Sequence, residues 1–178
     1  MGHVSNSDIQ YKPFTLGDIK VVELLITLRY KYDSYLYMNT YSSMDDKSSN
    51  VSVDGESTFN EEMLLTYISL DEYIKKCNFD EVQLKMIKMI EHGYTYDEIA
   101  TTLKILPSTI KGRLKTIFKK VVRENDRAWR KAVYVNKLGL KTKRCSKCEE
   151  ELPVVEEFYS DNKDSKDSFH SQCKKCRS

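Results

Sequence analysis

The chain has 178 residues, of which 40% are hydrophobic and 31% are charged, a composition that suits folded domains and argues against a disordered chain. No stretch approaches the roughly 20 apolar residues that a membrane helix needs. The first residues also lack the charged-then-apolar pattern of a secretory signal. We therefore expect a cytoplasmic protein without membrane contacts.

The first part of the chain is organised by helical periodicity. Residues 1–13 carry no such pattern and are predicted to be disordered. Apolar residues recur at helical spacing from Thr15 to about Met38, which predicts a first helix. The stretch 39–58 is rich in Ser, Asp and Asn and predicts a mobile loop. Phe59 to Lys76 predicts a second helix, so that a helical N-terminal region covers residues 14–76.

Residues typical of helix starts and helix ends mark the limits of two further short helices. The pattern predicts a third helix over about Asp80–His92, ended by Gly93, which accepts a left-handed backbone. Thr95 is predicted to cap the fourth helix, with Glu98 completing a capping box. Ala100 suits a position where this helix crosses a neighbour too closely for a larger side chain.

The last predicted helix is long and strongly basic. Pro107 suits its first turn, and helical spacing continues towards Leu138, where Gly139 would end it. From Lys104 to Arg144 there are fourteen Lys and Arg against two acidic residues, a local net charge of +12 in a chain whose total is +2. Such a charge on a helix predicts binding to a polyanion, and a merely solvated helix face is the alternative.

Two short motifs in these helices carry a resemblance to a known family. Tyr-Thr-Tyr-Asp-Glu-Ile-Ala (94–100) and Thr-Ile-Lys-Gly-Arg-Leu (109–114) resemble region 4 of bacterial sigma factors, and equally the DNA-binding domains of response regulators. In those families the unit is a helix-turn-helix that reads promoter DNA, and in sigma factors it also contacts RNA polymerase. Lys104 and Leu106 depart from the pattern, which usually has a turn glycine and a Ser or Thr cap. The resemblance implies a DNA-binding helix-turn-helix domain over residues 77–139.

The recognition helix of this unit is predicted at about 107–122. Residues near the N-terminus of such a helix reach base edges, and later cations contact phosphates. The candidate DNA contacts are Ser108, Thr109, Lys111, Gly112, Arg113, Lys115, Lys119, Lys120 and Arg123, of which the last three are expected to face phosphates. A three-helix unit that contacts only protein is the alternative.

Four cysteines near the C-terminus have the spacing of a metal site. Cys145 and Cys148 form one CxxC pair, and Cys173 and Cys176 form a second pair after 24 intervening residues. Two such pairs can hold tetrahedral zinc, and a site with four sulfur ligands is closed and therefore structural. We predict a zinc ribbon over residues 140–178, and a redox dithiol or disulfides are the alternatives that a cytoplasmic chain disfavours.

The same module carries a second resemblance. Lys-Arg-Cys-Ser-Lys-Cys (143–148), Glu-Phe-Tyr (157–159), Lys-Asp-Ser-Phe (166–169) and Cys-Lys-Lys-Cys (173–176) are similar to small zinc ribbons of phage proteins. In some of those proteins an HNH nuclease follows the last cysteine pair, and here the chain stops at Ser178. No catalytic constellation is recognisable in the sequence, so we do not expect an enzyme.

Together these patterns predict a mainly α protein with a helical N-terminal region, a helix-turn-helix domain and a zinc ribbon. The expected function is sequence-specific transcription regulation of phage or prophage type, in a bacterial or phage-infected cell. Double-stranded DNA is the expected partner, and the N-terminal helices are expected to form a homodimer or to contact another protein such as RNA polymerase. The alternatives are a protein–protein adaptor and an accessory subunit of a phage nuclease or packaging machine.

Overall fold

The computed structural model describes residues 15–31, 37–38, 58–59 and 61–177. The predicted disordered N-terminus and most of the predicted mobile loop lie outside these ranges. The chain divides into two units between Asn125 and Asp126, further towards the N-terminus than the predicted start of the zinc ribbon. Within the described ranges, no helix is both long enough and apolar enough to cross a membrane.

Helices make up most of the first unit. They are α1 (Ile19–Thr27), α2 (Glu61–Lys76), α3 (Glu81–Glu91), α4 (Tyr96–Leu103) and the first part of α5 (Pro107–Ala132). A 3-10 turn over Arg29–Lys31 follows α1. Two short strands, β1 (Tyr37–Met38) and β2 (Thr58–Phe59), pair in antiparallel fashion.

The predicted first helix is too long, whereas the second begins two residues later than predicted and its predicted end at Lys76 is confirmed. The first helix begins at Ile19 and ends at Thr27, rather than running from Thr15 to Met38. Asp18 caps its start by accepting a hydrogen bond from the backbone N–H of Lys20 at 2.8 Å. Strand β1 lies where the predicted first helix was expected to end, and β2 lies where the predicted second helix was expected to begin. Their pairing joins segments distant in sequence, which local periodicity cannot detect.

The predicted ends of α3 and α4 are confirmed. Asp80 caps α3 and accepts a hydrogen bond from the backbone N–H of Gln83 at 2.7 Å. Gly93 follows α3 with a φ of +84°. At α4, the backbone N–H of Thr95 donates to the Glu98 carboxylate at 2.7 Å, and the Glu98 N–H donates to the Thr95 hydroxyl at 3.3 Å. The hydrogen bonds that the backbone N–H and the hydroxyl of Thr95 donate to the Glu98 carboxylate lower the pKa of Glu98.

Helices α4 and α5 share one hydrophobic core with the other helices of the first unit. Ala100 is buried, as its predicted position at a helix crossing requires. The other buried members include Val22, Leu25, Ile26, Tyr67, Leu70, Met86, Ile87, Ile90, Ile99, Ile110, Leu114, Ile117, Phe118 and Val121. Burial of side chains from every helix of the unit fixes the face of α5 that points inward, and therefore the face that points to solvent.

The turn between α4 and α5 contains both departures from the sigma-factor pattern. Lys104 adopts the left-handed conformation, with φ 54° and ψ 42°, at the position where glycine is usual. Leu106 precedes α5 and is 71% exposed. Its carbonyl accepts hydrogen bonds from the N–H groups of Thr109 at 2.9 Å and Ile110 at 3.1 Å. The turn thus forms without glycine, and α5 begins without a Ser or Thr cap.

Replacing Lys104 with Gly is expected to stabilise the protein by about 0.5–1 kcal/mol, because glycine adopts a left-handed backbone without the steric cost of a Cβ. Urea unfolding of the metal-loaded protein measures the change. Lys104→Ala is the control, since alanine removes the same charge but keeps the Cβ. Equal stabilities of the two variants would contradict the explanation from backbone strain.

The second unit follows from the end of α5. A π-helical turn, Val133–Lys137, leads to Gly139, whose φ is +63°. Strand β3 (Thr142–Arg144) then pairs with β4 (Glu151–Pro153), and β5 (Tyr159–Asp161) pairs with β6 (Phe169–Cys173). The short helix α6 (Lys174–Arg177) completes the unit. Its small core consists of Tyr134, Cys145, Leu152, Phe158, Tyr159, Phe169 and Cys173.

Candidate metal centre and candidate nucleic-acid interface

The fold brings all four predicted metal ligands together. Cys145 follows β3, Cys173 ends β6, and the turn and helix that come next supply Cys148 and Cys176. The four Sγ atoms lie within 4.8 Å of one another, and those of Cys148 and Cys173 are 3.9 Å apart. A zinc–sulfur distance of 2.3 Å gives a tetrahedron with edges of about 3.8 Å. Four free thiols in this arrangement can hold a metal ion.

The sulfur of Cys145 accepts hydrogen bonds from the backbone around the site. Its Sγ accepts hydrogen bonds from the backbone N–H of Cys173 at 3.2 Å and of Lys147 at 3.5 Å. Burial raises the pKa of this thiol, but backbone hydrogen bonds from Cys148, Cys173 and Lys147 outweigh it and bring the pKa to about 6. These hydrogen bonds favour the thiolate, which is the form that binds metal.

The raised pKa values of Cys148 and Cys176 show what a bound cation would supply. Burial and hydrogen bonds to the neighbouring cysteines raise the pKa of Cys176 to about 12. Burial is also the largest cause that raises the pKa of Cys148. Several thiolates at this spacing repel one another, and a bound dication offsets that repulsion so that the thiols lose their protons. The donor set therefore suits a soft divalent metal.

A buried tyrosine and a lysine support the metal centre from the β-strands. The hydroxyl of Tyr159 donates to the carbonyl of Lys143 at 2.9 Å, and its ring lies 4.5 Å from the Lys143 ammonium. Burial, followed by the charge of Cys145, raises the pKa of Tyr159. Lys143 also donates to the carbonyl of Phe169 at 3.2 Å and pairs with Asp167. Its hydrogen bond lowers the pKa of Asp167 to about 2, so the ion pair persists through the neutral range.

The end of α5 contacts the cysteine module through its cations. Arg127 lies 3.1 Å from the Glu150 carboxylate, and its guanidinium donates to the Sγ of Cys173 at 3.8 Å. Arg130 pairs with Glu157 at 2.9 Å, and Lys131 lies 3.6 Å from Glu150. A further contact is the edge-to-face packing of Tyr134 and Phe158, whose ring centroids are 6.1 Å apart.

Most of the candidate DNA contacts lie on the exposed side of α5. The exposed residues are Ser108, Thr109, Lys111, Gly112, Arg113, Lys115, Lys119 and Arg123. Lys120 differs, since it is half-buried and its ammonium lies 5.3 Å from the ring centroid of Phe79. Part of its charge is therefore engaged by the aromatic face.

The basic stretch divides into paired and unpaired cations. Arg127, Arg130, Lys131, Lys143 and Arg144 all form ion pairs with carboxylates of the second unit. Among the described residues, no carboxylate lies within ion-pair distance of Lys111, Arg113, Lys115, Lys119 or Arg123. We call these five residues the cationic face of α5. Only part of the local charge of +12 is thus available to an external anion.

Sequence reasoning missed the supporting residues of the metal centre. Tyr159 was recognised as part of the module, but its hydrogen bond to the Lys143 carbonyl depends on strand packing. Arg127 was counted only as one of many cations, and nothing in its spacing indicated a contact with a ligand sulfur. Glu150 and Glu157 could have been proposed as the partners of Arg127 and Arg130 only from their opposite charge.

Comparisons of the chain with family models, with curated proteins and with solved structures found no match.

Proposed function

We propose that the protein binds double-stranded DNA through the cationic face of α5 and acts as a sequence-specific transcription regulator. The observation that carries the proposal is the absence, among the described residues, of intramolecular ion pairs at Lys111, Arg113, Lys115, Lys119 and Arg123. Surface cations that lack a partner in the fold favour an anionic partner outside it. The resemblance to sigma-factor region 4 supports DNA as that partner.

The width of α5 also supports duplex DNA as the partner. An α-helix with its side chains is about 10–12 Å across, and the major groove of B-DNA is about 12 Å wide. All residues of the cationic face except Arg123 lie in the half of α5 that begins at Pro107, where recognition helices contact base edges. The proposal therefore assigns Ser108, Thr109 and Lys111 to base edges and the later cations to phosphates.

The proposal assigns zinc to the four cysteines, as a structural ion. Four sulfur donors leave no open position for a substrate, and ions of this kind stabilise small modules that have little core of their own. The residues that hold the ion would be Cys145, Cys148, Cys173 and Cys176. The ribbon then serves as a folded support, in keeping with its resemblance to those of phage proteins.

Protein contacts are assigned to the N-terminal helices α1 and α2. On α2, Leu65 and Ile68 are one turn apart and are 55% and 47% exposed. Apolar side chains at this spacing suit a homodimer contact or a contact with a protein such as RNA polymerase. The protein would act in the cytoplasm of a bacterial or phage-infected cell.

Selection from a random-sequence duplex library by the purified, zinc-loaded protein tests the proposal. A regulator is expected to enrich one sequence and to bind it about a thousandfold or more tightly than unselected DNA. If the four later cations of the cationic face contact phosphates, the logarithm of affinity should fall with the logarithm of salt concentration with a slope of about −3.6. An adaptor or an accessory subunit would enrich no sequence, and that result would overturn the proposal.

A further inference from the structure

Gly112 lies in the interior of α5 at a position where the fold itself does not require a glycine. Its φ is not positive, and a Cβ built on it would meet nothing within 4 Å. Glycine inside a helix is less stable than alanine, because it loses more backbone freedom on folding. Neither the backbone conformation nor internal packing explains why glycine stands at position 112. The remaining explanation is that another molecule approaches the helix closely at this position.

The position of Gly112 around the helix axis gives the direction of that approach. A helix turns by about 100° per residue, so position 112 lies opposite the buried side chains of Ile110 and Leu114. Lys111 and Lys115 then flank Gly112 on one side, and Arg113 flanks it on the other. Gly112 thus lies on the side of α5 that faces solvent, with long cationic side chains on both sides of it.

We infer that Gly112 faces the floor of the DNA major groove and that its missing side chain sets how deeply α5 enters. This inference rests on the proposed function. The groove is about 8.5 Å deep, and a helix must come close to its floor before short side chains such as Ser108 and Thr109 can reach base edges. At that depth the flanking cations Lys115 and Arg113 reach the phosphate backbones of opposite strands.

A size series at position 112 tests the inference. Gly112→Ala and Gly112→Leu are compared with the unaltered protein on the duplex that the latter selects from a random library. Both variants should melt at a temperature a few degrees higher, because each residue is a better helix former than glycine. Affinity should fall about tenfold for alanine and about a hundredfold for leucine, as the added atoms hold the helix away from the bases.

Matched substitutions on α3 separate this effect from a general change in helix stability. Lys85→Ala and Lys85→Leu place the same new side chains at an exposed position outside the proposed interfaces and should leave affinity within about twofold of the unaltered protein. More stable Gly112 variants that bind the selected duplex as tightly as the unaltered protein would overturn the inference and leave the proposed function standing. Failure of the unaltered protein to select any duplex would overturn both.

Discussion

Replacing Cys173 with Ser is expected to release the metal and to unfold the cysteine module while the first unit stays folded. The change removes one of four ligands from a site whose metal can contribute about 10–16 kcal/mol to folding a module of this kind. It also removes the sulfur that accepts from Arg127 and approaches Cys148 at 3.9 Å. Metal analysis should find one zinc per chain before the change and almost none after it.

The structure predicts that the loss of order extends into α5. The segment from Asp126 to Lys137 contacts the module through Arg127, Arg130 and Tyr134, whose partners are carboxylates and the ring of Phe158. Without a folded module these contacts disappear, so circular dichroism should show loss of helix as well as of strand.

Cys77→Ser is the matched control for the metal prediction, because this cysteine packs against the core of the first unit and lies outside the metal site. It should keep one zinc per chain. The proposed ligand set would be wrong if Cys173→Ser also kept one.

Replacing both Lys111 and Lys115 with Ala is expected to weaken DNA binding and its dependence on salt. Each phosphate contact that is lost should make the slope of log affinity against log salt about 0.9 less steep. If Lys111 reaches a base edge, affinity for the selected duplex should fall by a further factor of about 10. Fluorescence anisotropy over a series of salt concentrations measures both effects.

Lys131→Ala is the matched control for this pair, since it removes one cation from the same helix. Its ammonium lies 3.6 Å from the Glu150 carboxylate, so its charge is already engaged within the second unit. The slope should stay the same in this variant. If the salt slope fell by the same amount for each lysine replaced, at positions 111, 115 and 131 alike, DNA binding would depend on total charge and not on the cationic face.

The features that sequence patterns predicted well are those fixed by neighbouring residues. The capping box of Thr95 and Glu98 involves groups three residues apart, and the stop at Gly93 depends on one residue's backbone freedom. The close approach of the four cysteines could also be predicted, because CxxC pairs carry their own geometry. Burial of Ile110 and Leu114 followed from helical spacing alone.

The features that were missed depend on contacts between distant residues. Tyr37 pairs with Phe59 at positions where helices were predicted, and no local pattern indicates such a partner. Counting charges likewise could not separate the cations near Pro107 from those near Ala132. Only the positions of Glu150 and Glu157 show that Arg127 and Arg130 are paired. Net charge per segment therefore does not show which cations already have a partner within the fold.

The closeness of the four thiols has a practical consequence for preparing the protein. The Sγ atoms of Cys148 and Cys173 are 3.9 Å apart, and a disulfide bond of about 2.05 Å requires only a modest movement from there. Air oxidation of metal-free protein would join such neighbours and destroy two ligands in one event. Purification in the presence of a reductant and added zinc should therefore give full occupancy, and a substoichiometric metal content after aerobic purification would report oxidative damage.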